Sequence, residues 1–112
     1  MENRLVRYRD HDFLVWRSFA REIKRSGDPE LQEEIFKELI KDPQRGAPLK
    51  GGIRKARVGS KKQGTGKRGG YRYLFYLKTE RYFYLLGLLD KTKADTFTKE
   101  FLDALAEAVQ ST

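Results

Sequence analysis

The chain has 112 residues, with 24 Lys plus Arg against 16 Asp plus Glu, so its formal charge is 24 − 16 = +8. Leu, Ile, Val and Phe together make a quarter of it, above the level at which a charged chain stays disordered. The length predicts one domain over 1–112, too small for separate substrate and cofactor domains. With no cysteine and a single histidine, His11, disulfides, cysteine-ligated zinc, iron–sulfur clusters, thiol nucleophiles and multi-histidine metal sites are excluded, and neither a metal nor a cofactor is expected. Met1-Glu2-Asn3-Arg4 carries no apolar run of signal-peptide type, and no stretch approaches the ~20 apolar residues of a membrane span. The expectation is a cytoplasmic protein with no membrane partner.

In chain order, Leu5 to Arg9 reads as a short strand. Phe13, Trp16, Phe19, Ala20 and Ile23 then recur at helical spacing, with Asp12 as the N-cap and Gly27 as a left-handed stop. Asp28-Pro29 restarts the chain as N-cap and first helical residue of a second amphipathic helix, which carries Leu31, Ile35, Phe36, Leu39 and Ile40 and ends at Asp42-Pro43. The tight break predicts an antiparallel helical hairpin whose apolar stripes share a core. After a connector with Gly46, Pro48, Gly51 and Gly52, the period changes to two. Ile53, Lys55 and Arg57 fall on one face of a strand, and Arg54, Ala56 and Val58 on the other. Residues 59–70 form a basic glycine-rich hairpin loop, followed by an aromatic strand from Tyr71 to Leu77. Tyr82 to Leu89 is almost continuously apolar, as a central strand covered on both faces would be. From Asp95 or Thr96 onward, Phe97, Phe101, Leu105, Ala108 and Val109 predict a last helix packed on the sheet. The expected fold class is α+β: a short N-terminal strand, a helical hairpin, an antiparallel three-strand meander completing a small twisted sheet, and a C-terminal helix.

The positive charge is local. From Pro43 to Thr79 there are eleven Lys and Arg and no acidic residue, so the rest of the chain sums to 13 − 16 = −3. An acid-free basic block inside a folded domain suits a polyanion such as nucleic acid, and the plain alternative is a solvated basic loop. Gly64-Thr65-Gly66-Lys67-Arg68-Gly69 has the letters of a dinucleotide fingerprint, but a strand rather than a helix follows it. Lys61 stands where a P-loop needs glycine, so that motif fails as well. The loop reads instead as a clamp on a phosphate backbone, with Lys61, Lys62, Lys67 and Arg68 supplying charge. Asp10-His11-Asp12 reads as a helix cap rather than a metal or acid–base set. Trp16 reads as core; Tyr71, Tyr76 and Tyr82 fit either core or base stacking.

Lys55 and Arg57 on one strand face, Arg72 on the next strand and Lys91 just past the third would converge cations on one concavity. Such cations stabilise the charge that builds on a phosphate under attack, and crowding of like charges lowers a lysine's pKa toward neutrality. That set suits metal-free RNA cleavage, in which the RNA's own 2′-hydroxyl attacks its phosphate. Simple phosphate binding fits the same residues.

Leu49 to Val58 (LKGGIRKARV), Gly66 to Arg72 (GKRGGYR), Phe83 to Leu86 (FYLL) and Asp90-Lys91 resemble the HigB branch of the RelE/ParE toxin superfamily, over most of the chain and in matching order. The resemblance implies a RelE-like fold and a type II toxin acting as an mRNA interferase, an endoribonuclease that cuts translated mRNA in the ribosomal A site and so inhibits translation. It also implies a cognate helix-turn-helix, HigA-like antitoxin. By resemblance Lys55, Arg57, Arg72 and Lys91 take the catalytic positions, with Lys55 or Lys91 transferring the proton and Arg57 and Arg72 holding the phosphate. Arg54, Lys61, Lys62, Lys67 and Arg68 would contact RNA or ribosome. Phe97 stands where many relatives carry a tyrosine that stacks on the mRNA base; it can stack but cannot transfer a proton. Two other readings fit the same fold: a non-catalytic nucleic-acid- or ribosome-binding module, and a ParE-like gyrase inhibitor.

Overall fold

The computed structural model describes residues 3–59, 70–94 and 96–112. Lys61, Lys62, Lys67 and Arg68, with most of the basic loop of 59–70, lie outside the described residues.

The chain opens as a β-hairpin of β1 (Arg4–Tyr8) and β2 (His11–Val15), paired from Arg4 opposite Val15 to Tyr8 opposite His11. This corrects the expectation of a helix beginning after Asp12. Arg9 and Asp10 both take left-handed backbone conformations (φ 48° and 61°), the two-residue turn whose twist matches that of paired strands. Asp12 therefore caps no helix and sits opposite Arg7, whose guanidinium it binds at 3.2 Å. Phe13 and Trp16 fit a helical spacing, but Phe13 and Val15 also fit alternation, and the strand wins because β2 is bonded on both sides. Trp16 is the N-cap of helix α1 (Arg17–Ser26), which ends at Gly27 with φ 62°, the expected left-handed stop.

Asp28 takes part in the turn rather than capping a helix directly: its carboxylate accepts from the Glu30 amide at 3.0 Å, and α2 spans Leu31–Lys41. Phe19 of α1 and Leu31, Ile35, Phe36 and Leu39 of α2 do share one core, as their stripes predict. β3 (Ala47–Pro48), a 3-10 turn at Lys50–Gly52, β4 (Arg54–Val58), β5 (Tyr71–Thr79), β6 (Tyr82–Asp90) and α3 (Lys99–Gln110) complete the fold. Thr98 caps α3 by accepting from the Phe101 amide at 3.1 Å.

The six strands run β1-β2-β6-β5-β4-β3, with β2 parallel to β6 and every other pair antiparallel. β4, β5 and β6 form the expected antiparallel three-strand meander, and it completes a mixed sheet with β1, β2 and β3. β6 lies between β2 and β5, and its apolar run is buried on two sides. Phe83, Leu85 and Leu88 face the α1/α2 core, where the Phe13 ring stacks between Phe36 and Phe83 at 4.1 and 5.2 Å. Tyr84, Leu86 and Leu89 face the α3 core. The switch of parity between Leu86 and Leu88 follows a bulge where the register slips between Leu74 and Phe75. Each fully buried Phe or Leu contributes ~1.5–3 kcal/mol over exposure, so these two faces hold the sheet rigid. Among the described residues no helix is long and apolar enough to cross a membrane.

Candidate functional site

Strand alternation puts Ile53, Lys55 and Arg57 on the α3 side of β4 and Ala56 and Val58 in the α1/α2 core. Arg57 pairs directly with Arg72 of β5, and Lys55 with Leu74. Like charges placed opposite one another across a ladder oppose folding, and no acidic side chain among the described residues forms a salt bridge with any of the three. Lys55 and Arg72 are half-buried and Arg57 is exposed. The three line one cavity of about 530 Å³, together with Arg45, Gly46, Ala47 and Ala56. Among the described residues, every ionisable side chain on its wall is a cation.

The cavity has this shape because glycine brings the chain close to β4. Gly46 has φ +81°, and a Cβ there would stand 2.1 Å from the Lys55 carbonyl oxygen. No other residue fits against the backbone that carries Lys55. Arg54, on the opposite face of β4, fastens the same approach: its Nε donates to the Arg45 carbonyl at 3.1 Å and its Nη2 to the Gly46 carbonyl at 3.0 Å. Its guanidinium is thus engaged with the loop at the cavity rim.

Lys91 is not on the cavity wall. Its amide donates to the Gly70 carbonyl at 3.2 Å, one row beyond the Val58, Tyr71 and Asp90 positions that align across β4, β5 and β6. Phe97 is 8 % exposed, packs on Phe101 with ring centroids 6.0 Å apart, and borders a separate opening with Ser18, Arg21 and Gly87. Tyr71 is core, its hydroxyl pushed to a higher pKa by burial and by Asp90. Tyr76 and Tyr82 are half-buried against Tyr84.

Arg45 was not visible as a site residue in the sequence. It lies in the connector after α2, and its only signal is that it is the first cation of the acid-free block, next to a glycine. Its Nη2 lies 3.5 Å from Glu38 Oε1, and the Tyr73 hydroxyl donates to the same oxygen at 3.1 Å. Burial, and then Glu38, drive the Tyr73 hydroxyl far above its ordinary pKa, so it stays a neutral donor. On the far side of the sheet, Lys50 and Lys99 both bind Asp103, at 3.1 and 2.9 Å, and their hydrogen bonds hold that carboxyl below its usual range. No group of three or more His, Asp and Glu side chains with metal-ligand geometry occurs among the described residues.

Four cations around one cavity can hold an oxyanion and stabilise charge that develops on it. A sequence model of the family described as "RelE toxin of RelE / RelB toxin-antitoxin system" matches residues 13–112.

Proposed function

Because the chain belongs to the RelE toxin family, toxins that act within a toxin-antitoxin system, we propose that it is a ribosome-dependent endoribonuclease of the HigB branch that cuts translated mRNA in the ribosomal A site. The observation that carries this reading is the cavity at β4 and β5, where Lys55, Arg57 and Arg72 converge with no carboxylate among the described residues to neutralise them. A protein retains an uncompensated cross-strand pair such as Arg57 and Arg72 when an anionic partner supplies the missing charge.

The RNA supplies its own nucleophile. The 2′-oxygen attacks the adjacent phosphorus and loses its proton to a base, the bond from phosphorus to the 5′-oxygen breaks, and that oxygen takes up a proton. The products are a 2′,3′-cyclic phosphate and a 5′-hydroxyl. The protein must hold the phosphate in line and stabilise the extra negative charge on its oxygens, which are the tasks of Arg57 and Arg72. In this reading Lys55 or Lys91 transfers the proton, and Lys55 is favoured because it lies on the cavity wall and Lys91 does not. Side chains supply all the charge this step needs, so the proposed reaction uses no metal and no cofactor. Lys61, Lys62, Lys67 and Arg68 would hold the flanking phosphates or ribosomal RNA. Arg54 acts on the RNA through the loop it fastens. Phe97 would stack on a base only at its exposed rim.

The remaining features of the reading are a single toxin domain over 1–112, a cytoplasmic site of action, the ribosome and mRNA as partners, and a HigA-like helix-turn-helix antitoxin. The deciding experiment induces wild type, Lys55→Ala and Arg72→Ala in cells and maps transcript ends and plasmid supercoiling. Wild type should cut translated messages and both variants should lose that cleavage. Intact transcripts with collapsed supercoiling would establish the gyrase reading instead, and growth arrest retained by both variants would establish a non-catalytic binder.

A further inference from the structure

Two guanidinium N–H groups on residues that line the cavity, Arg45 Nε and Arg72 Nη1, are buried and have no acceptor among the described residues. Buried donors are nearly always satisfied, and an orphan pair on one wall calls for an acceptor that comes from outside. Arg72 is already assigned to the phosphate by the reading above. Arg45 reaches the same wall out of the connector between α2 and β3, its Nη2 held 3.5 Å from Glu38 Oε1 and the Nε of the same guanidinium left without an acceptor among the described residues. Tyr73 in turn holds Glu38, and the two anchors lie on α2 and β5, both rigid elements. The Arg45 backbone is fixed as well, its amide donating to Asp42 and its carbonyl accepting from Arg54. Little rotamer freedom is left to lose when an anion arrives.

We propose that Arg45 is a fourth phosphate-binding residue of the cavity, donating its Nε–H to a non-bridging oxygen of the RNA phosphodiester, with Glu38 and Tyr73 as the residues that position it. This rests on the nuclease reading for the identity of the anion. Glu38 has two effects: it aims the guanidinium, and it offsets part of its charge until a phosphate replaces water in the cavity. The cavity thereby grips the phosphate from both strand edges, Arg57 and Arg72 from the β4/β5 ladder and Arg45 from the β3 side.

The test uses the full-length protein and a ten-nucleotide single-stranded RNA with a 2′-O-methyl block, whose binding is measured across a salt series. Arg45→Gln should weaken binding roughly 10-fold. It should also make the log–log salt slope shallower by about 0.7, the loss of one phosphate contact to a single strand. Arg45→Lys should restore the slope, because the charge returns without the fork. Set beside Glu38→Gln, the role separates from plain bracing: a phosphate contact makes the slope shallower in Arg45→Gln alone, whereas a merely structural Arg45 would leave the slope untouched in both variants and lower their melting temperatures alike. A wild-type slope in Arg45→Gln overturns the assignment of Arg45 alone. A wild-type protein whose RNA binding is absent or insensitive to salt overturns the proposal, while the nuclease reading stands or falls separately on the transcript ends of induced cells.

Discussion

Gly46→Ala adds one methyl group and removes no charge, yet it should disable the cavity. A Cβ at Gly46 would stand 2.1 Å from the Lys55 carbonyl oxygen, 2.8 Å from its carbon and 3.1 Å from the Ala56 Cα. All three are backbone atoms, so no rotamer change relieves the contact. Reaching an ordinary separation of 3.4 Å needs a shift of 3.4 − 2.1 = 1.3 Å between the connector and β4. The left-handed conformation at φ +81° costs a non-glycine residue ~1–2 kcal/mol, and the overpacking adds ~1–3 kcal/mol. The sum, about 2–5 kcal/mol, is smaller than the ~5–15 kcal/mol of a typical domain except where the two limits meet, so a folded variant of lowered stability is expected. At ~4 °C per kcal/mol the melting temperature falls by about 8–20 °C. A displacement of the order of 1 Å at reacting groups costs ~100-fold in rate. Circular dichroism melts and message cleavage in a reconstituted translation reaction, assayed well below the lowered melting point, measure both effects. A Gly46→Ala protein that melts within about 2 °C of wild type and cleaves at the wild-type rate would refute the claim that glycine packing shapes this cavity.

Arg57→Ala should separate stability from function: relief of the like-charge pair with Arg72 raises stability by ~0.2–1 kcal/mol, while cleavage falls ~100-fold or more. Equal losses in both would mean that Arg57 is structural. High pH should destabilise the protein, because Tyr8, Tyr71, Tyr73 and Tyr82 all have pKa values raised above 10.0 in the folded chain. Their contribution is fully present below about pH 10, where the unfolded phenols are still neutral, and is lost as pH rises beyond it. Tyr73→Phe, which sacrifices about 1 kcal/mol of hydrogen bonding to Glu38, should lose less of its urea midpoint between about pH 8 and pH 11 than wild type does. A loss as large as wild type's would show that Tyr73 is not the main buried phenol. Phe97→Leu keeps an apolar side chain in the α3 core, costs under about 1.5 kcal/mol and should leave cleavage within a few-fold of wild type. A fall of more than about 10-fold in cleavage at unchanged stability would mean that the ring leaves its packing to stack on a base.

Several elements were legible because one residue pattern admitted one solution. The period-two face of Ile53, Lys55 and Arg57, the left-handed Gly27, and the apolar run of β6 were each read directly, since alternation, φ preference and two-sided burial are local properties. The β2 segment is ambiguous in sequence because five residues are too few to separate a period of 3.6 from a period of two when Phe13 and Trp16 satisfy one and Phe13 and Val15 the other. The tie is broken by hydrogen bonds to β1 and, 83 − 13 = 70 residues further along the chain, to β6.

The amino-acid sequence by itself determined where the positive charge lies, that no acidic residue occurs over residues 43–79, and that Lys55 and Arg57 share a strand face. Tertiary structure decided which cations meet. It brought Arg45 from an unremarkable connector to the wall that holds Lys55, Arg57 and Arg72, left Lys91 one row outside, and spent the Arg54 guanidinium on two carbonyls. Charge is additive along a chain and can be counted. Convergence depends on strand order, on register and on a glycine that lets two backbones touch, and those are set by contacts between residues far apart in sequence.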